Sequence, residues 1–307
     1  MNSNRLISAS SFFVLLSATL FISAPATAEV ACEEGPVVLQ VLGSGGPRGL
    51  GRASSGYLLR IDGVGRIMVD AGGGTFARFH EAGARVEDLE LIALSHFHAD
   101  HSAEVPALLW LKPTDMLVSG PSGSQSYPSA DEYANDMFGP EGVYRAVTSG
   151  EGLNTLTVDV TKPEPTEVFA SESMRVTALG VPHGPVPALG YRIDVGDVSI
   201  AFSSDQNGSD PAFVEFASGV DVLVAHVAVP ESVTGRVSDL HARPSVWGQM
   251  ATDADVGLLV LSHLLGVAPR SADGDLAGFD QKLANVRSTY EGPLVIAEDL
   301  MCIPVGD

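Results

Sequence analysis

Four side chains that bind transition metals lie within six positions of the stretch Leu-Ser-His-Phe-His-Ala-Asp-His-Ser. They are His96, His98, Asp100 and His101, so three of the chain's eight histidines fall in this segment. Side chains alternate along an extended backbone, and His96 and His98 can therefore point toward one metal ion. Asp100 and His101 follow a bend and can serve a second. Imidazole and carboxylate donors without a thiolate suit zinc or another divalent transition ion.

Three more candidate ligands lie far along the chain, each at the end of an apolar run. They are His183 after Val181-Pro182, Asp205 after Ile200-Ala201-Phe202-Ser203-Ser204, and His263 after Leu258-Leu259-Val260-Leu261-Ser262. Strand ends of one sheet meet at one edge, where open α/β sheets bind their ligands. We therefore expect these side chains to converge with the first cluster.

The elements that must position these residues are predicted from hydrophobic patterning. Short apolar, β-branched runs bounded by Gly, Asp or Asn predict strands. These strands are 37–42, 56–61, 66–70, 89–94, 174–179, 190–195, 198–202, 220–224, 256–261 and 294–296. Helices are predicted at 74–82, 103–111, 130–137, 210–218, 244–252 and 279–290. The alternation predicts an α/β fold with two strand-rich halves.

Residues 119–150 differ from the rest because Gly, Pro, Ser and acidic residues dominate them. We predict a lid-like insertion here, with the short helix 130–137 inside it. Its aromatic side chains are expected to pack beneath the loop rather than to line a substrate pocket: Tyr127, Tyr133, Phe138 and Tyr144.

The glycine-rich stretch Gly43-Ser44-Gly45-Gly46-Pro47 could suggest a phosphate-binding loop. It lacks the Lys-Ser/Thr ending and the following helix of such loops, and a tight loop near the metal site is the better interpretation. No serine or cysteine nucleophile stands in a recognisable motif.

The first 28 residues predict a cleavable secretory signal. Arg5 precedes an apolar segment at 12–22, and Ala26-Thr27-Ala28 fits a small-x-small cleavage site. The apolar part is short and interrupted by polar residues, which argues against a permanent membrane span. We expect residues 29–307 to form a single domain in the periplasm or outside the cell.

The strongly acidic balance argues against nucleic acid as a partner. The chain has a formal net charge of −21, and removal of Arg5 with the signal would make it −22. It has three lysines and no basic run, whereas proteins bind phosphate backbones with many Lys and Arg side chains. A small-molecule substrate is expected instead.

The two cysteines, Cys32 and Cys302, lie near opposite ends of the expected mature chain. In an oxidising compartment they could form one disulfide that ties the termini together. The sequence does not give their separation in space, so a disulfide and free thiols both remain open. Zinc ligation by this pair is the weaker alternative.

The motif His-x-His-x-Asp-His after an apolar strand resembles the metallo-β-lactamase-fold hydrolases, and the resemblance covers most of residues 29–307. Leu42–Pro47 and Arg52–Tyr57 resemble the opening strand and loop of the ribonuclease Z and arylsulfatase-like branch. Val69-Asp70-Ala71-Gly72 is similar to the family's Asp-x-Gly turn, and His183-Gly184 to its third metal motif. The resemblance implies a four-layer αβ/βα sandwich.

The same resemblance implies two zinc ions with a bridging water or hydroxide. The first would be held by His96, His98 and His183, the second by Asp100, His101 and His263, and Asp205 would be shared. Other divalent transition ions could replace zinc.

The resemblance also implies roles for side chains around the metals. Asp100 is expected to orient or deprotonate the attacking water. His241, just before the helix at Pro244, is the candidate that assists the leaving group or steadies developing charge. Apart from the resemblance, His226 follows the apolar run 220–224 and is expected to be a buried structural histidine, with a supporting contact to a metal ligand as the alternative. His80 is expected to lie on a helix surface.

The implied function is metal-dependent hydrolysis of a small phosphodiester or sulfate ester. A β-lactam or a lactone is the alternative substrate within this fold. The commonest lactamases place a cysteine on the second zinc, and Asp205 holds the corresponding position here. A non-catalytic metal-binding protein and a homodimer are also left open.

Overall fold

The computed structural model describes residues 32, 35–48, 50–110, 116–270, 276 and 278–306. The strands in these ranges form two seven-stranded mixed sheets. The predicted signal, residues 1–28, lies outside the described residues. No helix within these ranges is both long and apolar enough to cross a membrane.

The first sheet contains β1 Val37–Gly43, β2 Gly56–Ile61, β3 Val64–Val69, β4 Leu91–Ala93, β5 Leu117–Pro121, β6 Asn154–Val158 and β14 Cys302–Pro304. Their order across the sheet is β14-β1-β2-β3-β4-β5-β6. Strands β3 to β6 pair in parallel, whereas β14, β1, β2 and β3 pair antiparallel. The carboxyl ends of β3 and β4 therefore lie at the same edge.

The second sheet contains β7 Thr166–Ala170, β8 Met174–His183, β9 Val186–Val195, β10 Val198–Phe202, β11 Val222–His226, β12 Leu258–Ser262 and β13 Leu294–Ile296. Their order is β13-β12-β11-β10-β9-β8-β7. Strands β10 to β13 are parallel, and β8 and β10 share a direction because both pair antiparallel with β9. The carboxyl ends of β8, β10, β11 and β12 thus meet at one edge.

The helices are α1 Thr75–Glu81, α2 Ala99–Ser102, α3 Val105–Leu109, α4 Ala130–Phe138, α5 Ala212–Phe216, α6 Arg236–Leu240, α7 Pro244–Asp253 and α8 Asp280–Arg287. Side chains of α1, α3 and α4 pack on the outer face of the first sheet. Those of α5, α7 and α8 pack on the outer face of the second sheet. A third apolar cluster fills the space between the two sheets.

These three clusters separate four layers, as the sandwich implied by the resemblance requires. Strand β2 shows how the sequence builds them, since Tyr57 and Leu59 face the other sheet while Leu58 faces the helices. This alternation follows from the period of two along a strand. The expected α/β fold class is therefore confirmed.

Cys32 and Cys302 form a disulfide, with their Cα atoms 5.7 Å apart. Cys302 opens strand β14, which pairs with β1 at residues Val38, Leu39 and Gln40. The disulfide thus ties the start of the described chain to its last strand, and zinc ligation by these two thiols was the wrong alternative.

Four strands were not predicted from the sequence: β5, β6, β7 and β14. They are short and contain Gly, Thr, Asn or Pro, so their apolar patterns are weak. The predicted boundary of the insertion at residue 119 is wrong for the same reason, because Ser119-Gly120-Pro121 continue β5 and pair with β6. The segment outside the sheets begins at residue 122 and contains α4.

The predicted helix at 103–111 also differs from the structure. Its start is divided between α2, which begins at Ala99, and α3, which begins at Val105. Pro106 stands in the first turn of α3, where its missing N–H costs nothing. The remaining predicted helices are present with boundaries shifted by a few residues.

Candidate metal centre

All seven predicted ligands lie at the carboxyl ends of strands and face one another across the junction of the two sheets. His96, His98, Asp100 and His101 follow β4, His183 ends β8, Asp205 follows β10, and His263 follows β12. His96, His101 and His263 have no exposed surface. The structure thus brings together side chains that the sequence spreads over two halves, although their roles as ligands stay a prediction.

The first group of donor atoms comes from His96, His98, His183 and Asp205, and these atoms lie within 4.8 Å of one another. His96 Nε2 is 3.0 Å from His98 Nδ1. His183 Nε2 is 3.9 Å from Asp205 Oδ2. This group contains the three histidines predicted for the first ion together with the shared carboxylate.

The second group comes from His101, Asp205, His226 and His263. His101 Nε2 lies 3.2 Å from His263 Nε2. Asp100 Oδ2 is 3.2 Å from His263 Nε2 and 3.6 Å from His101 Nε2. The donors predicted for a second ion therefore lie within reach of one another, with His226 as a neighbour that the prediction did not include.

Two of the histidines are fixed by hydrogen bonds on the side away from the centre. His101 Nδ1 donates to Asp70 Oδ2 at 2.7 Å, and His183 Nδ1 donates to the Leu240 carbonyl at 2.7 Å. Each bond sets the ring orientation and leaves Nε2 facing the centre, as is usual for metal-binding histidines.

Asp70 is itself held in place by several donors. It accepts hydrogen bonds from the Ser95 amide at 2.8 Å, the Ser95 hydroxyl at 3.0 Å and the Ser55 hydroxyl at 3.2 Å. From the sequence, Asp70 was expected only as part of a turn. Its contact with His101 makes it the residue that orients one candidate ligand.

Charge in the centre is arranged for a cation. Burial lowers the pKa of His96 well below its ordinary value and also lowers the pKa values of His98 and His183, which keeps these imidazoles neutral. Burial opposes ionisation of Asp205, but His263 and His101 hold its pKa well below the usual range. Neutral imidazoles and ionised carboxylates are the forms that bind metals.

His101 departs from this pattern of charge, whereas Asp100 follows it. Burial disfavours the charged form of His101, yet the carboxylates of Asp70 and Asp205 raise its pKa well above the ordinary value. Burial also opposes ionisation of Asp100, but the hydrogen bond with His263 lowers its pKa to about 2. An excess of negative charge at this edge attracts a cation.

A divalent transition ion fits the residues present. His183 Nε2 is buried and has no hydrogen-bond partner, and such an atom is costly to bury unless a ligand binds it. All donors are imidazole nitrogens or carboxylate oxygens. Zinc binds such sets readily, and other divalent transition ions also do.

Three non-glycine residues at the centre adopt left-handed backbone conformations. Asp70 has φ 58°, Ser204 has φ 57° and His263 has φ 53°. Such conformations cost about 1 to 3 kcal/mol each and concentrate at functional sites. Here each one follows a strand and turns the chain so that a side chain reaches the centre.

The glycine-rich loop predicted near the metal site lies directly against it. A Cβ atom on Gly46 would be 2.7 Å from His263 Cε1. The loop is anchored by Asp299, which accepts from the Ser44 amide at 3.1 Å and the Ala53 amide at 2.7 Å. The buried guanidinium of Arg52 adds bonds to the Val267 and Ala297 carbonyls.

His241 lies at the centre, immediately after α6. Its Nδ1 is 3.7 Å from Asp205 Oδ2 and has no hydrogen-bond partner. Burial lowers its pKa to about 4, which keeps the free imidazole neutral. The position suits the predicted helper, whose catalytic role stays a prediction.

The other two histidines have different surroundings. His226 ends β11, and its Nδ1 lies 2.9 Å from Asp205 Oδ1. Burial lowers its pKa to about 4. His80 lies on the exposed side of α1 with its ring against Phe76 and Phe79. Both positions agree with the structural roles expected for them.

Aromatic side chains of the 122–153 segment mostly pack as expected. Tyr133 and Phe138 are buried against the outer face of the first sheet, and the Tyr133 ring stacks on Phe97 at 4.7 Å. Tyr127 is the exception, because its ring lies 5.8 Å from the ring of His98. This residue brings the segment to the edge of the centre.

The sequence of this chain matches a known protein family over the region that contains the histidine cluster. Residues 65–264 match the family model described as the Beta-lactamase superfamily domain. The chain belongs to this superfamily. Within the metallo-β-lactamase superfamily, ribonuclease Z of Thermobifida fusca is 27% identical over 299 residues, which cover 83% of this chain and 90% of that protein.

Solved structures show the same fold. The metallo-beta-lactamase fold protein YhfI from Bacillus subtilis superposes with a TM-score of 0.66 at 21% identity, covering 87% of this chain and 99% of YhfI. The short form of human tRNase Z gives a TM-score of 0.65 at 18% identity, covering 88% and 100%. The chain thus shares the metallo-β-lactamase fold of these structures, as its motifs predicted.

Proposed function

We propose that this protein is a phosphodiesterase that uses two divalent metal ions, zinc being the ion that its donors suit best. The observation that carries the proposal is the sharing of Asp205 by two groups of ligand atoms. A carboxylate common to both groups supports two ions held close together. Such pairs stabilise the attacking and leaving oxygens of an in-line displacement at phosphorus.

The similarity to ribonuclease Z supports phosphodiester chemistry over the other reactions of this fold. The match extends over 90% of the Thermobifida fusca protein and is not confined to the metal motif. Sulfate esters, β-lactams and lactones have no comparable support.

The chain's own residues would orient the reactants. Asp100, which remains ionised, accepts a hydrogen bond from the attacking water and then its proton. His241 donates a hydrogen bond from Nδ1 to an oxygen of the phosphoryl group, because that nitrogen is buried and without a protein partner. Ions bound by the two groups would supply Lewis acidity and neutralise developing charge.

We propose a small phosphodiester rather than RNA as the substrate. Binding of a polyanion draws on many cationic side chains, and this chain has a net charge of −21. Of its three lysines, Lys282 is buried. The ribonuclease Z relatives make RNA the competing substrate, and the assay must include it.

We propose that the protein works in an oxidising compartment, the periplasm or the exterior. The disulfide between Cys32 and Cys302 supports this location, because disulfides are rare in reducing cytosol. Fractionation of the native host, with the processed N-terminus read by mass spectrometry, tests it. Recovery of unprocessed, reduced protein in the cytosol would contradict it.

The substrate proposal is tested with zinc-loaded protein and a panel of reporters. The panel contains a bis-aryl phosphodiester, an aryl sulfate, a chromogenic cephalosporin, a homoserine lactone and a precursor tRNA with a 3′ extension. We expect turnover of the phosphodiester and none of the cephalosporin. Asp205→Asn should abolish turnover of the phosphodiester, whereas the surface variant Asp253→Asn should turn it over as the wild type does.

Other outcomes of this panel decide against particular parts of the proposal. Faster cleavage of precursor tRNA than of the small diester would overturn the choice of substrate. Turnover of the cephalosporin or lactone alone would overturn phosphodiester chemistry. Two bound metals without any turnover would favour a non-catalytic metal-binding protein.

A further inference from the structure

We propose that Tyr57 and His226 form a positioning pair that holds the shared carboxylate Asp205 and couples it to the opposite sheet. The inference deepens the proposed function, since it concerns the same centre. It assigns His226 to the support of a ligand and not to the metal, although its donor atom lies within the second group.

The assignment rests first on the partners of the two ring nitrogens. His226 Nδ1 is 2.9 Å from Asp205 Oδ1, and His226 Nε2 is 3.1 Å from the Tyr57 hydroxyl. Both nitrogens therefore have protein partners. By contrast, His183 has one nitrogen on the Leu240 carbonyl and a second with no partner. Other candidate ligands also have contacts on both nitrogens, but their inward nitrogen contacts only another candidate ligand, as His101 Nε2 does with His263 Nε2 at 3.2 Å. His226 Nε2 instead contacts a tyrosine hydroxyl.

Chemistry fixes the tautomer. A carboxylate only accepts hydrogen bonds, so the proton of a neutral His226 lies on Nδ1 and donates to Asp205. Nε2 then carries the lone pair and accepts from the Tyr57 hydroxyl. The Tyr57 hydroxyl carries a single hydrogen, which it donates either to Ser262 Oγ at 2.8 Å or to His226 Nε2 at 3.1 Å. The orientation toward Nε2 stabilises the tautomer that binds the carboxylate.

The position of Tyr57 gives this pair its significance. Tyr57 lies on β2 of the first sheet, whereas His226 and Ser262 lie on β11 and β12 of the second. All three are buried. Its hydroxyl is thus a polar link across the apolar space between the sheets. Through His226, this link reaches Asp205, the carboxylate that both groups of donor atoms share.

Loss of the link should therefore change the centre more than the fold. In Tyr57→Phe, His226 Nε2 loses its donor, and the proton can move to Nε2, which turns the Nδ1 lone pair toward the carboxylate. Removal of a residue that orients a ligand usually weakens metal binding or activity about 10- to 100-fold.

Tyr191→Phe is a matched control. Tyr191 lies on β9, is fully buried in the same cluster, and its hydroxyl also crosses between sheets, lying 3.0 Å from the Leu94 carbonyl and 3.1 Å from Ser119 Oγ. It has no contact with Asp205 or His226 among its hydrogen bonds. A general loss of a buried hydroxyl should therefore affect both variants, and a loss of positioning only Tyr57→Phe.

The experiment titrates metal-free protein with Zn²⁺ in competition with a chromophoric chelator, beside urea unfolding of each variant. We expect Tyr57→Phe to bind its weaker zinc about 10- to 100-fold less tightly, with kcat lowered and KM unchanged. Tyr191→Phe should bind zinc as wild type does. His226→Asn, whose amide can still donate to Asp205, should bind more tightly than His226→Ala.

Three results would overturn the inference. They are wild-type zinc binding in Tyr57→Phe, equal losses in both tyrosine variants, and equal losses in His226→Asn and His226→Ala. The outcome is separate from that of the proposed function. If the wild type is a phosphodiesterase and Tyr57→Phe binds zinc as tightly as the wild type, only the positioning pair is refuted. If Tyr57→Phe binds zinc more weakly but the wild type does not cleave phosphodiesters, only the proposed substrate is refuted.

Discussion

Gly46→Ala tests how closely the glycine-rich loop confines His263. The added Cβ would lie 2.7 Å from His263 Cε1, 3.0 Å from Nδ1 and 3.2 Å from Nε2. Gly46 does not have a positive φ angle, so alanine fits its backbone conformation. The added methyl group is therefore expected to collide with the imidazole without straining the backbone.

The size of the effect follows from these contacts. Carbon atoms pack at about 3.5 Å or more, so ring and loop must separate by roughly 0.8 Å. Asp299 and Arg52 anchor the loop, and the ring is therefore the part that moves. Because a displacement of about 1 Å at a reacting centre can cost about 100-fold, we expect kcat/KM to fall roughly 10- to 100-fold.

The assay measures kcat/KM on the phosphodiester reporter and zinc content per chain for the same samples. Gly73→Ala is the control, because its Cβ would approach nothing closer than Ser54 Oγ at 3.9 Å. We expect a weakened second zinc only in Gly46→Ala. Wild-type activity and full zinc in Gly46→Ala would refute the placement of His263 against this loop.

Three further predictions concern stability and the second ion. Removing the disulfide in Cys32→Ser/Cys302→Ser should lower the free energy of unfolding by about 2 to 5 kcal/mol in urea titrations; coincident midpoints would contradict it. Burial lowers the pKa of Lys282 from 10.5 to about 8, so the unfolded chain binds more protons between these values. Stability should accordingly rise from pH 8 to 10 relative to Lys282→Met, and parallel profiles would argue against it. Asp70→Asn keeps a side chain that tolerates the left-handed backbone. It should weaken zinc binding about 10-fold in chelator competition, because His101 loses its anionic partner.

Much of the fold could be predicted from the sequence because its strands are strongly apolar. The strands that carry ligands, β4, β8, β10 and β12, all follow from runs of β-branched and aliphatic residues. Strand β5 did not, since Ser119-Gly120-Pro121 has the composition of a turn. Its strand conformation depends on pairing with β4 and β6, which is a tertiary effect.

The seven candidate ligands could be found because each follows an apolar strand or lies in the dense histidine motif. The residues that hold these ligands in place could not be found from the sequence. Tyr57 looks like any core aromatic in a strand, and only the packing of two sheets reveals that its hydroxyl reaches His226. The Asp70 carboxylate had a signal in its Asp-x-Gly turn, but its partner His101 is 31 positions away.

Elemental analysis of the purified protein tests the central claim most directly, if it is carried out on wild type and on Asp205→Asn. The shared carboxylate predicts two transition metal ions per chain in the wild type and fewer than two in the variant. A wild-type protein that binds no transition metal, or a variant that retains both ions with equal affinity, would contradict the account.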